Sequence, residues 1–320
     1  MLLGAYTLLL DINLDMRKSV LVTGAHGFLG RHVARQFSNA GYTVTGIGHG
    51  SWGQSEYSKY GITFWYLADV TLDSLDTYAQ KPDVIVHCAG SGSVTASINE
   101  PYLDFQKTVN STLYVLEYIR TRSPQTILVY PSSAAVYGKC EKMPIREGQT
   151  LNPLSPYGFN KVITETLIKQ YALTYDIKAS IVRLFSVYGP ELRKQLLWEA
   201  CVRVNNGENI FFGTGDETRD WLHVNDAARL LYCATGYANN NCVIVNGGSG
   251  VATTNSDVLG LICRSMKSNV TTQFNNQTRP GDPQHYQADM KSICDWDWKP
   301  KFELHEGVLE YVSWFMKVRL

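Results

Sequence analysis

The chain has 320 residues, 44% hydrophobic and 18% charged, enough for a substantial core and too apolar for a disordered or low-complexity chain. Lys+Arg and Asp+Glu both number 29, so the net charge is zero, and a nucleic-acid binder, which usually carries a basic excess, is disfavoured. Seven scattered cysteines (Cys88, Cys140, Cys201, Cys233, Cys242, Cys263, Cys294) with no C-x-x-C pair read as reduced thiols of a cytoplasmic enzyme, not as a disulfide framework or a metal site.

The opening run MLLGAYTLLL is far shorter than the roughly 20 apolar residues that span a bilayer. It lacks a basic segment and a following cleavage site, so no membrane partner is expected. Residues 1–15 precede a second methionine, Met16, and read as a loosely ordered extension. From Lys18 onward, β-rich runs alternate with helical stretches. SVLVTGAHGFLG enters a glycine turn, RHVARQFSNAGY is helical up to Gly41, and YTVTGIG is a second strand. ITFWYLAD, DVIVHCAG, TILVYPSSAAVYG and ASIVRLFSVYG are further strands, separated by helices such as LDFQKTVNSTLYVLEYIR and SPYGFNKVITETLIKQYALTY. The pattern predicts an α/β fold, a Rossmann-type doubly wound parallel sheet, with ligands at the carboxyl ends of the strands. After Pro190 the alternation loosens into short strands (NIFFGTG, CVIVNGG, VTTQFN) and helices. The expected division is a dinucleotide domain at 16–189 and a smaller substrate lobe at 190–320, with an interleaved boundary.

Gly24, Gly27 and Gly30 form G-x-x-G-x-x-G between a strand and a helix. Gly24 permits the tight turn, Gly27 lets backbone N–H groups approach a pyrophosphate, and Gly30 lets helix and strand pack closely. Phe28 and Leu29 complete the cofactor-facing turn. The second strand ends in Gly46-Ile47-Gly48-His49-Gly50-Ser51, without the acid that normally bonds the adenosine ribose. His49 and Ser51 tolerate or bond a 2′-phosphate, which puts NADP ahead of NAD; the alternative is a plain glycine-rich turn with the ribose held elsewhere.

Tyr157 and Lys161 stand one helical turn apart on one face. Ser155 and Pro156 make an N-cap and first helical position that fix the tyrosine near the helix start. An ammonium beside a phenol is expected to lower the phenol's pKa and make it a usable acid/base. Y-x-x-x-K alone is common on solvated helix faces. Here it follows a nucleotide turn and a strand ending in Ser132-Ser133.

With these residues together, the chain from about Lys18 onward resembles the extended short-chain dehydrogenases/reductases of the nucleotide-sugar epimerase/dehydratase branch. TGAHGFLG resembles the cofactor turn, Asp69-Val70 the adenine contact, and His87-Cys88-Ala89-Gly90 the H-x-A-[AG] cofactor loop. PSSAAVYG at 131–138 resembles the serine strand. RLFSVYGP at 183–190 resembles R-x-x-N-x-Y-G-P, with Ser186 in place of the sugar-contacting asparagine. RDWLHVND at 219–226 and RPGD at 279–282 resemble two further segments. The resemblance implies Tyr157 as general acid/base, Lys161 as its tuner and holder of the nicotinamide ribose, and Ser133 as orienter of the sugar oxygen. Arg219 and Arg279 would hold the substrate diphosphate, a use that suits guanidinium forks. Tyr286 would limit the sugar pocket. His223 is expected to brace the smaller lobe, and His32 and His305 to be packing or surface residues.

Three outcomes share this machinery. Dehydration needs an acid and base beside the serine, where this chain has Ala134 and Ala135, and methyl groups move no protons. A 4-epimerase retains its cofactor and in this family usually carries an acid after the second strand. A 4-ketoreductase exchanges NAD(P)H at each turnover and needs no such acid. Reduction of a nucleotide-linked 4-keto-6-deoxy sugar therefore ranks ahead of 4-epimerisation, with a non-catalytic cofactor-binding module a remote third. The substrate class is a nucleotide-diphosphate sugar in each enzymatic case. The helices 103–120 and 157–174 carry Val109, Leu113, Leu116, Ile163, Leu167 and Ala172, and family members pair such helices, so a homodimer is expected.

Overall fold

A computed structural model of the chain describes residues 18–277 and 284–319. The expected extension at 1–15 and the RPGD segment with Arg279 lie outside the described residues. The strands, in chain order, are β1 (Ser19–Thr23), β2 (Thr43–Gly48), β3 (Phe64–Leu67), β4 (Val84–His87), β5 (Ile127–Ser133), β6 (Ala179–Leu184), β7 (Ser186–Tyr188), β8 (Ile210–Phe211), β9 (Thr218–His223), β10 (Val243–Gly247), β11 (Ala252–Thr254) and β12 (Gln273–Phe274). Seven of them pair in parallel in the order β10-β6-β5-β4-β1-β2-β3.

The strands of this sheet read as continuous apolar runs because helices cover both faces. On one face Val20, Val22, Val84 and Val86 pack with Val33, Phe37, Leu230 and Leu231 of helices Phe28–Asn39 and Val224–Ala234. On the other, Leu21, Ile85 and Leu128 pack with Leu116, Ile119 and Ile168 of helices Ser111–Arg122 and Pro156–Tyr175. This is the doubly wound arrangement. Strand order reverses between β1 and β4, and the crevice at their carboxyl ends is where such sheets take ligands.

A separate core around Tyr188, Leu197, Ile262 and Phe315 belongs to the sheet β11-β9-β7 and helices Gln195–Asn205, Asn255–Ser265 and Leu304–Arg319. The run CVIVNGG, expected in the smaller lobe, instead forms β10 and pairs with β6 of the main sheet. That pairing covers an edge that β6 would otherwise leave open.

The apolar residues expected to be spare on the two long helices need a correction. Val109, Leu116 and Ala172 are buried within the chain itself. The outward apolar row is carried by Tyr102, Leu103, Phe105, Phe159 and Ile163.

Candidate active site

The glycine turn is built by close approach. Gly24 has φ +66°, and a Cβ there would lie 2.7 Å from the Ala89 amide nitrogen, so the β1 turn and the β4 loop pack backbone to backbone. A Cβ on Gly30 would overlap the Gly24 carbonyl oxygen, and the Gly27 amide donates to that same oxygen at 2.9 Å. Gly27 caps helix Phe28–Asn39 without a side chain. The first-turn amides of Phe28, Leu29 and Gly30 therefore form an anion-binding end with no side chain across it. Two positions that admit only hydrogen, Gly24 and Gly30, around an open helix N-terminus fit the pyrophosphate of a dinucleotide.

At the adenosine end, Trp65 of β3 lies over the glycines of β2. Cβ atoms on Gly46 and Gly48 would meet its ring at 3.0 and 3.4 Å. His49 Nε2 is 2.8 Å from Asp69 Oδ1, with both side chains exposed. A carboxylate is thus present at this rim after all, supplied by the end of β3 rather than β2. Val70 follows it, half-buried against the main core. Sequence reasoning also missed the neighbouring aromatic group. Trp52 stands 4.6 Å from His26 and 5.3 Å from Trp65, and the Arg31 guanidinium lies 5.1 Å from both the Trp52 and Tyr60 rings. The signal was local: three aromatic residues, Trp52, Tyr57 and Tyr60, within nine positions shortly after β2.

The β4 loop is held from beneath. Thr23 Oγ1 is 2.7 Å from His87 Nδ1 and accepts from the Ala89 amide at 3.1 Å. His87 Nε2 lies 3.1 Å from Thr112 Oγ1 and 3.2 Å from Ser111 Oγ. Burial depresses His87 to about 3, so the ring is a neutral strut. Burial also pushes the Cys88 thiol up to about 12, which leaves it protonated beside Lys161. Gly90, at φ +134°, turns the chain out of the crevice.

Ser133, Tyr157 and Lys161 come together at the carboxyl end of β5. Ser155 caps helix Pro156–Tyr175 by accepting from the Gly158 amide at 3.3 Å, which sets Tyr157 in the first turn. The Tyr157 amide donates to Ser97 Oγ at 3.0 Å. The Ser133 hydroxyl lies beside the Tyr157 phenol, where it eases ionisation of the phenol. Lys161 Nζ lies 5.8 Å from the Tyr157 ring, donates to Tyr130 Oη at 2.8 Å and to the Pro131 carbonyl at 3.1 Å. Burial lowers Lys161 to about 8, against the pull of Glu165 and Asp104.

The expected lowering of the phenol is corrected by this geometry. Burial lifts Tyr157 above its usual value, the Ser133 hydroxyl opposes that lift, and Asp104 adds to it. The ammonium's two hydrogen bonds go to Tyr130 and Pro131, not to the phenol. Asp104 was missed by sequence reasoning. It is buried, accepts from Asn160 Nδ2 at 2.6 Å through one oxygen, and its other oxygen has no hydrogen-bond partner.

Of the expected substrate residues, Ser186 opens β7 opposite Trp221 of β9. Arg219 of β9 donates to the Thr218 and Gln284 carbonyls at 2.9 and 3.3 Å. Next to it, buried Asp220 accepts from the amides of Ser249, Gly250 and Ala288, tying β9 to the loops at 249–250 and 288. Tyr286 is buried, and its hydroxyl donates toward the Ala134 and Gly138 carbonyls at 3.1 and 2.9 Å, so it supports the turn that follows Ser133. His223 stacks on Phe302 at 3.9 Å and pairs with Glu310 at 3.3 Å. Among the described residues no cluster of His, Cys, Asp and Glu could hold a metal ion, and no helix is long and apolar enough to cross a membrane. The arrangement gives two neighbouring hydroxyls and a buried amine beside the glycine turn, suited to moving a proton at a substrate oxygen.

Comparison with known proteins agrees with this geometry. The NAD dependent epimerase/dehydratase family matches residues 20–246. A Methanocaldococcus jannaschii protein provisionally named a UDP-glucose 4-epimerase is 30% identical, over 92% of this chain and 97% of its own length. The UDP-glucose 4-epimerase of Mycolicibacterium smegmatis is 29% identical over 92% of this chain and 97% of its own. The crystal structure of the Thermotoga maritima UDP-glucose 4-epimerase with UDP-glucose is 26% identical and superimposes with a TM-score of 0.84, covering 94% of this chain and 100% of that one. The chain is an NAD-dependent enzyme and belongs to the NAD dependent epimerase/dehydratase family.

Proposed function

We propose that the protein inverts C4 of a UDP-linked sugar, using NAD retained through turnover. From sequence alone, reduction ranked first because β2 lacks an acid; the names of the relatives favour the reverse order. The observation that carries the reading is the Ser133–Tyr157–Lys161 group beside the glycine cradle, in a chain whose similarity to 4-epimerases runs nearly end to end. The argument for NADP weakens for a related reason. Asp69, 2.8 Å from His49, puts a carboxylate beside the end of β2, a charge that would disfavour a 2′-phosphate bound there.

A dinucleotide held by the turn of Gly24, Gly27 and Gly30 would supply reversible hydride exchange at C4. Tyr157 accepts the C4 hydroxyl proton and gives it back, and Ser133 holds that oxygen and the phenol in line. The Lys161 charge favours the phenolate form that takes up this proton. Arg219, with Arg279, would hold the diphosphate so that the sugar can present either face. The methyl groups of Ala134 and Ala135 provide no acid or base for elimination at C5 and C6.

The outward row of Tyr102, Leu103, Phe105, Phe159 and Ile163 supports a homodimer through the two long helices. The test of function is interconversion of UDP-glucose and UDP-galactose followed by NMR, with the nucleotide released on denaturation identified by mass. Interconversion with bound NAD and no net change in absorbance at about 340 nm is expected. Stoichiometric consumption of NADPH with a 4-keto sugar nucleotide, and no interconversion, would return the reductase reading.

A further inference from the structure

Lys161 is the buried amine of the site, yet its contacts face away from the sugar. They run into β5. Tyr130 is wholly buried on that strand, with the ammonium 4.5 Å from its ring centroid and 2.8 Å from its hydroxyl. The ring is flanked by that of His87 at 6.0 Å, nearly parallel. The hydroxyl also lies near Thr164, whose own proton goes to the Asn160 carbonyl at 2.8 Å. Lysine is donor-only, so Tyr130 accepts from Lys161.

We propose that Tyr130 is a positioning residue for Lys161: its hydroxyl and the Pro131 carbonyl hold two of the ammonium's three N–H bonds, leaving one for the reacting site. This rests on the role given to Lys161 in the proposed function. An ammonium on four rotatable bonds has no fixed direction of its own, and two acceptors on one rigid strand supply it. A neutral amine gains much less from two acceptors than an ammonium does, so the same contacts favour the charged form.

The other groups around the amine are His87 and Cys88 from the β4 loop, Asp104 from helix Pro101–Phe105, and Tyr157 and Glu165 from its own helix. Glu165 and Asp104 favour the charge, and burial opposes it. Tyr130 stays protonated, since burial lifts it well above the ordinary tyrosine value. It acts as a neutral acceptor across the working pH range.

Tyr130→Phe keeps the ring and removes the oxygen. Losing one charge-assisted hydrogen bond should lower the Lys161 titration midpoint by about one pH unit. The basic limb of the kcat profile should move down by the same amount. At pH 9 kcat should then be about tenfold below the parent enzyme, and at pH 6.5 within about twofold, with KM for the sugar nucleotide unchanged. Titration of Lys161 by NMR in lysine-labelled protein, assigned with Lys161→Met, reads the midpoint without turnover. It therefore remains decisive if the substrate differs from the one proposed. A lower thermal midpoint with an unmoved Lys161 titration would mean that Tyr130 only packs, and would overturn the inference.

Discussion

Glu165 and Arg183 meet as a buried two-point ion pair beneath the serine strand, with Nη2–Oε2 at 2.7 Å and Nε–Oε1 at 3.1 Å and each side chain 5% exposed. Ser132 donates to the same carboxylate at 2.5 Å, and Arg183 Nη1 reaches the Tyr137 hydroxyl at 3.1 Å and the Glu147 carbonyl at 2.9 Å. Tyr137 in turn donates to Asn246 Oδ1 at 2.6 Å. One network therefore joins β5, β6, β10 and helix Pro156–Tyr175. Removing one partner strands the other charge in the interior. Glu165→Ala should lower stability to urea by about 3–5 kcal/mol, whereas the double change Glu165→Met with Arg183→Met should cost much less. Equal losses in the two variants would show that the charges act through packing alone.

Gly30 gives a second prediction, on binding. Because a methyl group there overlaps the Gly24 carbonyl oxygen, Gly30→Ala must push helix Phe28–Asn39 off its turn. NADH fluorescence titration should show at least a tenfold loss of affinity, about 1.4 kcal/mol. Gly148→Ala, where a Cβ meets nothing within 4 Å, is the control and should bind as the parent does. Unchanged affinity in Gly30→Ala would mean that the turn is not the cofactor cradle.

Much of this was legible in the residues, and what was not shares a cause. Glycine spacing, the Ser155-Pro156 helix start and the Tyr157–Lys161 turn are local patterns, and local geometry follows from them. The His49–Asp69 pair joins two strand ends 20 positions apart, and the union of β10 with β6 spans more than 60, so neither leaves a short-range signal. Helical period alone could not tell which apolar residues face the protomer's own sheet, hence the error over Val109, Leu116 and Ala172. The phenol shift was misjudged because spacing reveals a neighbour but not burial, and burial is the larger effect at Tyr157. Tyr130, one apolar-looking residue in a strand, gave no hint that its hydroxyl meets Lys161.

Two buried histidines set the acid response. Burial holds His32 at about 4 and His87 at about 3, against an ordinary value of 6.5. The unfolded chain takes up protons below pH 6.5 that the folded chain refuses. Their contribution to stability is thus complete above pH 6.5 and lost as pH falls through that window, by about 3 kcal/mol each at pH 4. The thermal midpoint should drop steeply between pH 6.5 and 4, and His32→Gln should flatten that drop. An identical slope in the variant would refute the assignment.

The outward apolar row yields the last prediction. Tyr102 is 73% exposed and Phe159 55%, and with Leu103, Phe105 and Ile163 they sit on two neighbouring helices of the same face. Water contact over so many large apolar groups is unfavourable, at roughly 25 cal/mol per Å² of apolar surface, and a two-fold related copy would cover them with an identical surface. Charge at the centre of that contact should prevent it. Phe159→Glu with Ile163→Glu should convert a dimer to a monomer in light scattering at micromolar concentration while leaving the fold intact by circular dichroism, because both side chains point away from the core. A parent protein that is monomeric under those conditions, or a double variant that remains dimeric, would rule out this face as the interface.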